Sequence, residues 1–284
     1  MEAHAGRGGM PSTVAETASG RCRGPARARG ALLLTAAGLA VAQGGPGITA
    51  LGPVRQRWFP GLAGLGKADH VALTFDDGPD PGSTPRFLEL LGSARVHATF
   101  FLLGSMVARA PGLAADIAAA GHEIAIHGWD HRYLVLRGPR GVRDDMSRAR
   151  DTVAEVTGAA PRFFRPPYGV LSGGALAAAW WLGLTPVLWS SWGREWKRGA
   201  TPDSVYATIT RDLAGGGTVL LHDCDASSPP GTWRAALGAV PMLLDECARR
   251  GLRVGPMRDH VGHLGTGRRP GGQPSAPGPA STII

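Results

Sequence analysis

His70-Val71-Ala72-Leu73-Thr74-Phe75-Asp76-Asp77-Gly78-Pro79-Asp80 is the stretch on which the fold turns. Val71, Leu73 and Phe75 are apolar at period two and Thr74 favours extended backbone, so a strand is expected. Gly78 and Pro79 stop it, and Asp80-Pro81-Gly82 continues the turn. Two adjacent carboxylates, Asp76 and Asp77, therefore stand where a strand ends. In β/α folds that end gathers the functional loops. Asp also favours turns for its own reasons. Two neighbouring carboxylates repel, however, and staying ionised together calls for a positive group close by.

Working outward, the chain has 284 residues, 43% of them hydrophobic, enough for one large domain with a core. The net charge of +8 is unevenly placed: residues 1–60 hold seven Lys/Arg against two acids, 249–284 hold six against one, and 61–248 hold seventeen against nineteen. The basic ends leave the middle slightly acidic, which argues against a nucleic-acid partner for the core. Cys22, Cys224 and Cys247 are odd in number and lack CxxC spacing, so neither a disulfide framework nor a thiolate zinc site is expected.

Residues 1–30 read as disorder. Ala31–Ala42 is an apolar run behind Arg21, Arg23, Arg27 and Arg29, ending in Ala40-Val41-Ala42, which matches a secretory signal pattern. A secreted or cell-envelope location follows from it; a short N-terminal helix in a cytoplasmic protein is the alternative. The run is too short for a stable membrane span. Residues 43–66 read as a Gly/Pro-rich linker or covering segment, so the division expected is 1–66, a catalytic domain over 67–262, and a disordered tail over 263–284.

Within the domain, strands are expected at 97–102, 123–126, 162–164, 186–189, 218–221 and 252–254. Helices are expected at 84–91, 105–120 (one or a pair), 142–157, 173–182, 202–213 and 232–250. Strict alternation argues for parallel strands with helices outside. The length suits a distorted or incomplete (β/α) barrel of about seven strands, in an α/β class, and no GxGxxG or P-loop points to a nucleotide. Trp180 and Trp181 are expected to be core, and His97 and His122 to be structural.

In this arrangement Asp76, Asp77, His127, Arg165 and His222 all fall at strand ends, on one face of a barrel. His127-Gly128-Trp129-Asp130-His131 puts two imidazoles four residues apart, on one face of a helical turn. With a carboxylate from another strand end they make a two-histidine, one-carboxylate metal site with positions left open. Zinc is the first choice by ligand type, and iron, cobalt and nickel accept the same donors.

Four motifs in this order carry a family resemblance: Thr74-Phe75-Asp76-Asp77-Gly78, His127-x-x-x-His131, Arg165-Pro166-Pro167-Tyr168 and Leu220-Leu221-His222. Over about 68–258 the chain resembles the polysaccharide deacetylases, carbohydrate esterase family 4, with the NodB homology domain. The resemblance implies a hydrolase of non-peptide amide bonds that de-N-acetylates sugars of a polysaccharide such as peptidoglycan or a chitin-like oligomer. It implies that Asp77, His127 and His131 bind the metal and that Asp76 is the general base. Arg165 would hold Asp76 charged, the Tyr168 backbone N–H would stabilise the oxyanion, and His222 would be the general acid. Pro167, Trp192 and Leu220 would contact substrate, Leu220 as a wall for the acetyl methyl. The partner expected is an N-acetylated glycan, and the chain is expected to be a monomer.

Two departures from the family pattern stand out. Gly128 replaces a Ser or Thr and is expected to loosen its loop. Trp192 stands at the first acid of the family's fourth motif and Glu195 at the second, which leaves His222 without a carboxylate unless Glu195 or a neighbour serves. That motivates an alternative, a catalytically weak descendant that binds glycan; a hydrolase of a small cyclic amide or imide is another. Trp189, Trp192 and Trp196 are of the type that stacks on sugar rings, Trp192 the best placed, with rim core as the other reading. Asp223 and Asp225 read as turn residues.

Overall fold

The computed structural model describes residues 25–261, so the expectations for 1–24 and for 262–284 lie outside it. Eight strands are present: β1 (His70–Asp76), β2 (Thr99–Leu102), β3 (Glu123–Ile126), β4 (Phe163–Phe164), β5 (Thr185–Pro186), β6 (Ser191–Trp192), β7 (Thr218–His222) and β8 (Arg253–Gly255). Seven follow the order β5-β4-β3-β2-β1-β7-β6 and β8 pairs with β1. Every pairing is parallel. β1 is central. All seven of its residues are buried, as expected of a parallel strand covered on both faces. β7 occupies one edge of β1, while β8 takes the first part of the other edge and β2 the second. The result is the curled, incomplete (β/α) barrel that alternation implied, with helices packed outside.

The strand expected at 186–189 is divided. Pro186 ends β5, and the chain then crosses from one edge of the sheet to the other before β6 begins. Val187 N–H still donates to Phe164, but Leu188 N–H goes to Leu62 O and Ser190 N–H to Thr218 O. The carbonyls of 187–190 accept from side chains instead of a strand: Arg165 takes Val187 and Leu188, Arg55 takes Trp189, and Gln56 takes Ser190. Residues 45–66 are therefore packed onto the barrel through Arg55, Gln56 and Leu62. A 3₁₀ turn (Gly45–Ala50) and a helix (Gly52–Trp58) lead into it, with Arg55 buried. Among the described residues, 41–261 form one compact unit and 25–40 belong to another. Residues 31–42 fall within a helix over Pro25–Gly44. Among the described residues no helix is long and apolar enough to cross a membrane.

The helix expected over 105–120 is a pair, Gly104–Arg109 and Pro111–Ala119, because Pro111 can start a helix but not continue one. The helix Gly173–Leu182 buries Ala175, Ala178 and Ala179. Its small-residue face is the one turned inward, so Trp180 and Trp181 are exposed at 57% and 55% rather than core.

At the N-terminal end of β1, away from the paired carboxylates, His70 and His260 are buried with their Nδ1 atoms 3.0 Å apart. His260 Nε2 lies 3.0 Å from both Gly64 O and Gly216 O, which can only accept. Nε2 therefore carries the proton, Nδ1 accepts, and His70 Nδ1–H donates. Another buried imidazole, His122, accepts the Ala98 N–H at 3.1 Å, which is the structural role expected of it. Burial first, and positive neighbours next, push His70 and His122 down to about 4. An imidazole held below its ordinary value stabilises the fold fully above about pH 6.5 and loses that contribution as pH falls towards 4. The urea midpoint is therefore expected to drop steadily as pH falls from 6.5 to 4. A midpoint that rises over that range would contradict this.

Candidate active site

Four strands deliver the site. Asp76 is the last residue of β1 and pairs across the sheet with His222, the last of β7. His127 follows β3 and Arg165 follows β4. Asp77 leaves the strand with φ +81°, which turns its side chain out of register with Asp76. The face expected to hold the chemistry is the face on which these residues meet.

Arg165 is fully buried and donates from Nη1 to Asp76 Oδ1 at 2.6 Å and to Thr74 Oγ1 at 2.9 Å. Its carbonyl accepts from His127 Nδ1 at 2.8 Å, which leaves His127 Nε2 unprotonated and aimed at the carboxylates. That nitrogen is 3.5 Å from Asp77 Oδ1 and 3.7 Å from Asp76 Oδ2, and His131 Nε2 is 3.4 Å from Asp77 Oδ1. The two imidazoles do not share a helical turn as expected. Irregular backbone brings them together, with His131 at φ +51° and the ring centres 5.0 Å apart. Gly128 does not loosen this loop. It adopts φ +86°, where a Ser or Thr would be strained, and Asp145 ties the loop down by accepting from Trp129 N–H at 2.9 Å and from Arg137 at 2.6 Å.

One donor atom each from Asp77, His127 and His131 falls within 4.8 Å of the others. Asp77 Oδ1 is buried and has no hydrogen-bond partner, while Oδ2 accepts from the Ser227 hydroxyl. An unpaired buried carboxylate oxygen is costly unless a cation meets it. Burial raises the Asp77 carboxyl, but His222, His127 and His131 outweigh it and hold the group below its usual value. Burial, then His127, pushes His131 down to about 4. Carboxylate and neutral imidazole are the forms a divalent metal takes, so these residues fit a metal ion.

His222 has the carboxylate that the sequence left open. Glu195 Oε1 lies 2.8 Å from His222 Nδ1 and also accepts the His222 backbone N–H at 2.6 Å. Burial draws the imidazole down, but the Glu195 bond and charge outweigh it and raise the group to about 9.

Above these groups is a cleft of about 400 Å³. One wall is a run of rings, Trp189 to Trp192 at 5.6 Å, Trp192 to Trp196 at 5.4 Å, and Trp196 to His222 at 5.4 Å. The other is Tyr168, stacked on Tyr133 at 4.0 Å and leaning on His131 at 4.4 Å. Asp76, His127, His131, Tyr168, Trp192, Leu220 and His222 line it, whereas Asp77 and Arg165 lie beneath. Pro167, expected at the substrate, is buried instead and packs beside Gly128. Tyr133 and Ser227 were not legible as site residues. Tyr133 follows His131 closely, and Ser227 carries no local signal. Asp225 does not act in the cleft; it accepts from Trp233 N–H at 2.9 Å and the Thr232 hydroxyl at 2.7 Å at the start of the helix Trp233–Arg249. Asp223 is buried, accepts from Thr84, and is pushed up to about 7, chiefly by burial.

The polysaccharide deacetylase family model matches residues 64–187. A chitooligosaccharide deacetylase from a Bradyrhizobium species is 36% identical over 197 residues, covering 66% of this chain and 88% of that protein. The chain belongs to the polysaccharide deacetylase family. A peptidoglycan-N-acetylglucosamine deacetylase from Bacillus cereus is 32% identical over 183 residues, 64% of this chain and 65% of that one. Among solved structures, a family 4 carbohydrate esterase from Streptomyces lividans in complex with acetate superposes with a TM-score of 0.59 at 30% identity, covering 66% of this chain and 92% of that chain. As a polysaccharide deacetylase the chain is a hydrolase of carbon–nitrogen bonds other than peptide bonds, and its Asp-His-His cluster has the donors and spacing to hold a metal ion.

Proposed function

We propose that the chain removes acetyl groups from N-acetylglucosamine units of peptidoglycan or of a chitin-like oligomer, at a zinc ion held by Asp77, His127 and His131. The observation that carries this reading is the orphaned Asp77 Oδ1 facing two imidazole nitrogens, with a second carboxylate, Asp76, 3.7 Å from one of them. Zinc suits two nitrogens and one oxygen, and cobalt, nickel or iron would also be held. When bound, the ion supplies Lewis acidity that polarises the amide carbonyl and acidifies water. Asp76, oriented by Arg165, takes the proton from the attacking water as the new C–O bond forms. The Tyr168 N–H, presented by a residue at φ +59°, donates to the oxygen on which negative charge grows. His222 gives its proton to the nitrogen as the C–N bond breaks, leaving acetate and a free amine. Leu220, Trp192 and Trp196 enclose the methyl and the sugar face. Two relatives named above are a chitooligosaccharide and a peptidoglycan-N-acetylglucosamine deacetylase, and the signal-like segment fits a secreted or envelope enzyme.

The test compares acetate release from N-acetylglucosamine oligomers and peptidoglycan with turnover of a small cyclic imide. Release from a glycan without imide turnover is expected, and the reverse would overturn the reading. Glu195→Gln supplies a second check. A raised imidazole value adds stability that is full below about pH 6.5 and is lost as pH rises through about 9. The same proton keeps His222 competent as an acid into the alkaline range, and a cation on Asp77 would draw that limit down. Without the Glu195 charge the alkaline limb of kcat is expected to move down by about one pH unit or more. An unmoved limb would contradict the role given to Glu195.

A further inference from the structure

Arg55 lies ahead of the residues that the family model matches, yet its side chain reaches the wall of the cleft. It is 3% exposed. Nε and Nη2 donate to Trp189 O at 3.1 and 2.7 Å, and Nη1 donates to Thr49 O at 2.8 Å and Ala50 O at 3.3 Å. All its acceptors are carbonyls, and among the described residues no carboxylate pairs with it. Burying a cation without a counterion is expensive. Burial, then the nearby Arg165 charge, lowers the guanidinium to about 10. Both guanidiniums lie against one ring, Trp189, at 5.1 Å for Arg55 and 5.8 Å for Arg165.

Trp189 transmits that grip. Its backbone is fixed by Arg55 and its ring presses on Gly169, where a Cβ would stand 2.6 Å from Trp189 Cη2. Gly169 at φ +68° directly follows Tyr168 at φ +59°, so two residues in left-handed backbone depend on the ring beside them. We infer that Arg55 is a positioning residue for deacetylation: through Trp189 it holds the Pro167–Gly169 turn, and with it the Tyr168 N–H, in place at the cleft. Residues 45–66 are then a working part of the active site. The inference rests on the role proposed above for the Tyr168 amide.

The chain has three tyrosines, Tyr133, Tyr168 and Tyr206, so ¹⁵N-tyrosine labelling of the full, zinc-loaded chain gives three amide signals, with Tyr168 assigned by its loss in Tyr168→Phe. In Arg55→Met, which keeps the apolar stem and removes the charged fork, the Tyr168 amide is expected to shift and broaden while Tyr206 stays in place. Zinc affinity should stay within about twofold and kcat on acetylated oligomers should fall about 10- to 100-fold, with KM changing less than about threefold. A Tyr168 amide that does not move, with kcat within twofold, overturns the inference even if Tm falls. Should Arg55→Met fail to fold, Arg55→Lys is read by the same signals: a smaller Tyr168 shift is expected and none would overturn the inference. If the parent chain releases no acetate, the functional reading fails, and the Tyr168 amide alone decides the Arg55 coupling.

Discussion

Asp76→Asn is expected to keep the metal and lose about three orders of magnitude in kcat. An amide oxygen can still accept from Arg165 Nη1, so the local hydrogen bonding survives the change. What goes is the capacity to take a proton from water in the transition state, a role worth about 10²- to 10⁴-fold. Asp77, His127 and His131 are untouched, so zinc should bind the variant about as well as the parent. The two readouts separate Asp76 from Asp77, its neighbour in sequence. Asp77→Asn should weaken zinc binding itself. A kcat loss below tenfold in Asp76→Asn would remove Asp76 from the base role.

Arg165→Met is expected to be among the most destabilising single changes in the chain. The guanidinium is fully buried and donates to Asp76, to Thr74 and to two consecutive carbonyls, Val187 and Leu188. Removing it strands a carboxylate that is 2% exposed and frees two carbonyls in the segment that joins the sheet edges. Breaking a buried pair from one side costs about 3–5 kcal/mol. Urea unfolding at pH 7 should show a loss of that order with an unchanged m-value. A loss below about 1 kcal/mol would mean that the pair is more exposed to water than its burial indicates.

The parts of this protein that sequence made legible are those written in local chemistry. β1 could be placed because period-two apolarity ends at Gly78-Pro79, and the site because its polar residues all stand at strand ends. What escaped depends on contacts between residues distant in sequence. The crossing of 187–190 between sheet edges is fixed by Arg165 and by Arg55 and Gln56 from a segment that reads as linker. Glu195 is one of several candidates in the sequence, and only the pairing of β6 with β7 fixes it as the partner of His222. With that pair formed, the ground for reading the chain as a weak descendant is removed. Gly128 looked like a loss of a hydroxyl, but its positive φ and the Asp145 anchor are properties of the folded loop. Trp180 and Trp181 were misplaced because an alanine-rich helix gives no periodic sign of which face is buried.

The account stands or falls on a titration of zinc into the chelator-stripped, full-length chain while acetate release from N-acetylglucosamine oligomers is followed. It predicts no release at the start, a linear rise, and a plateau at about one zinc per chain, with no such break in Asp77→Ala. Release that is the same with and without zinc, or a parent chain that never releases acetate at any loading, would contradict it.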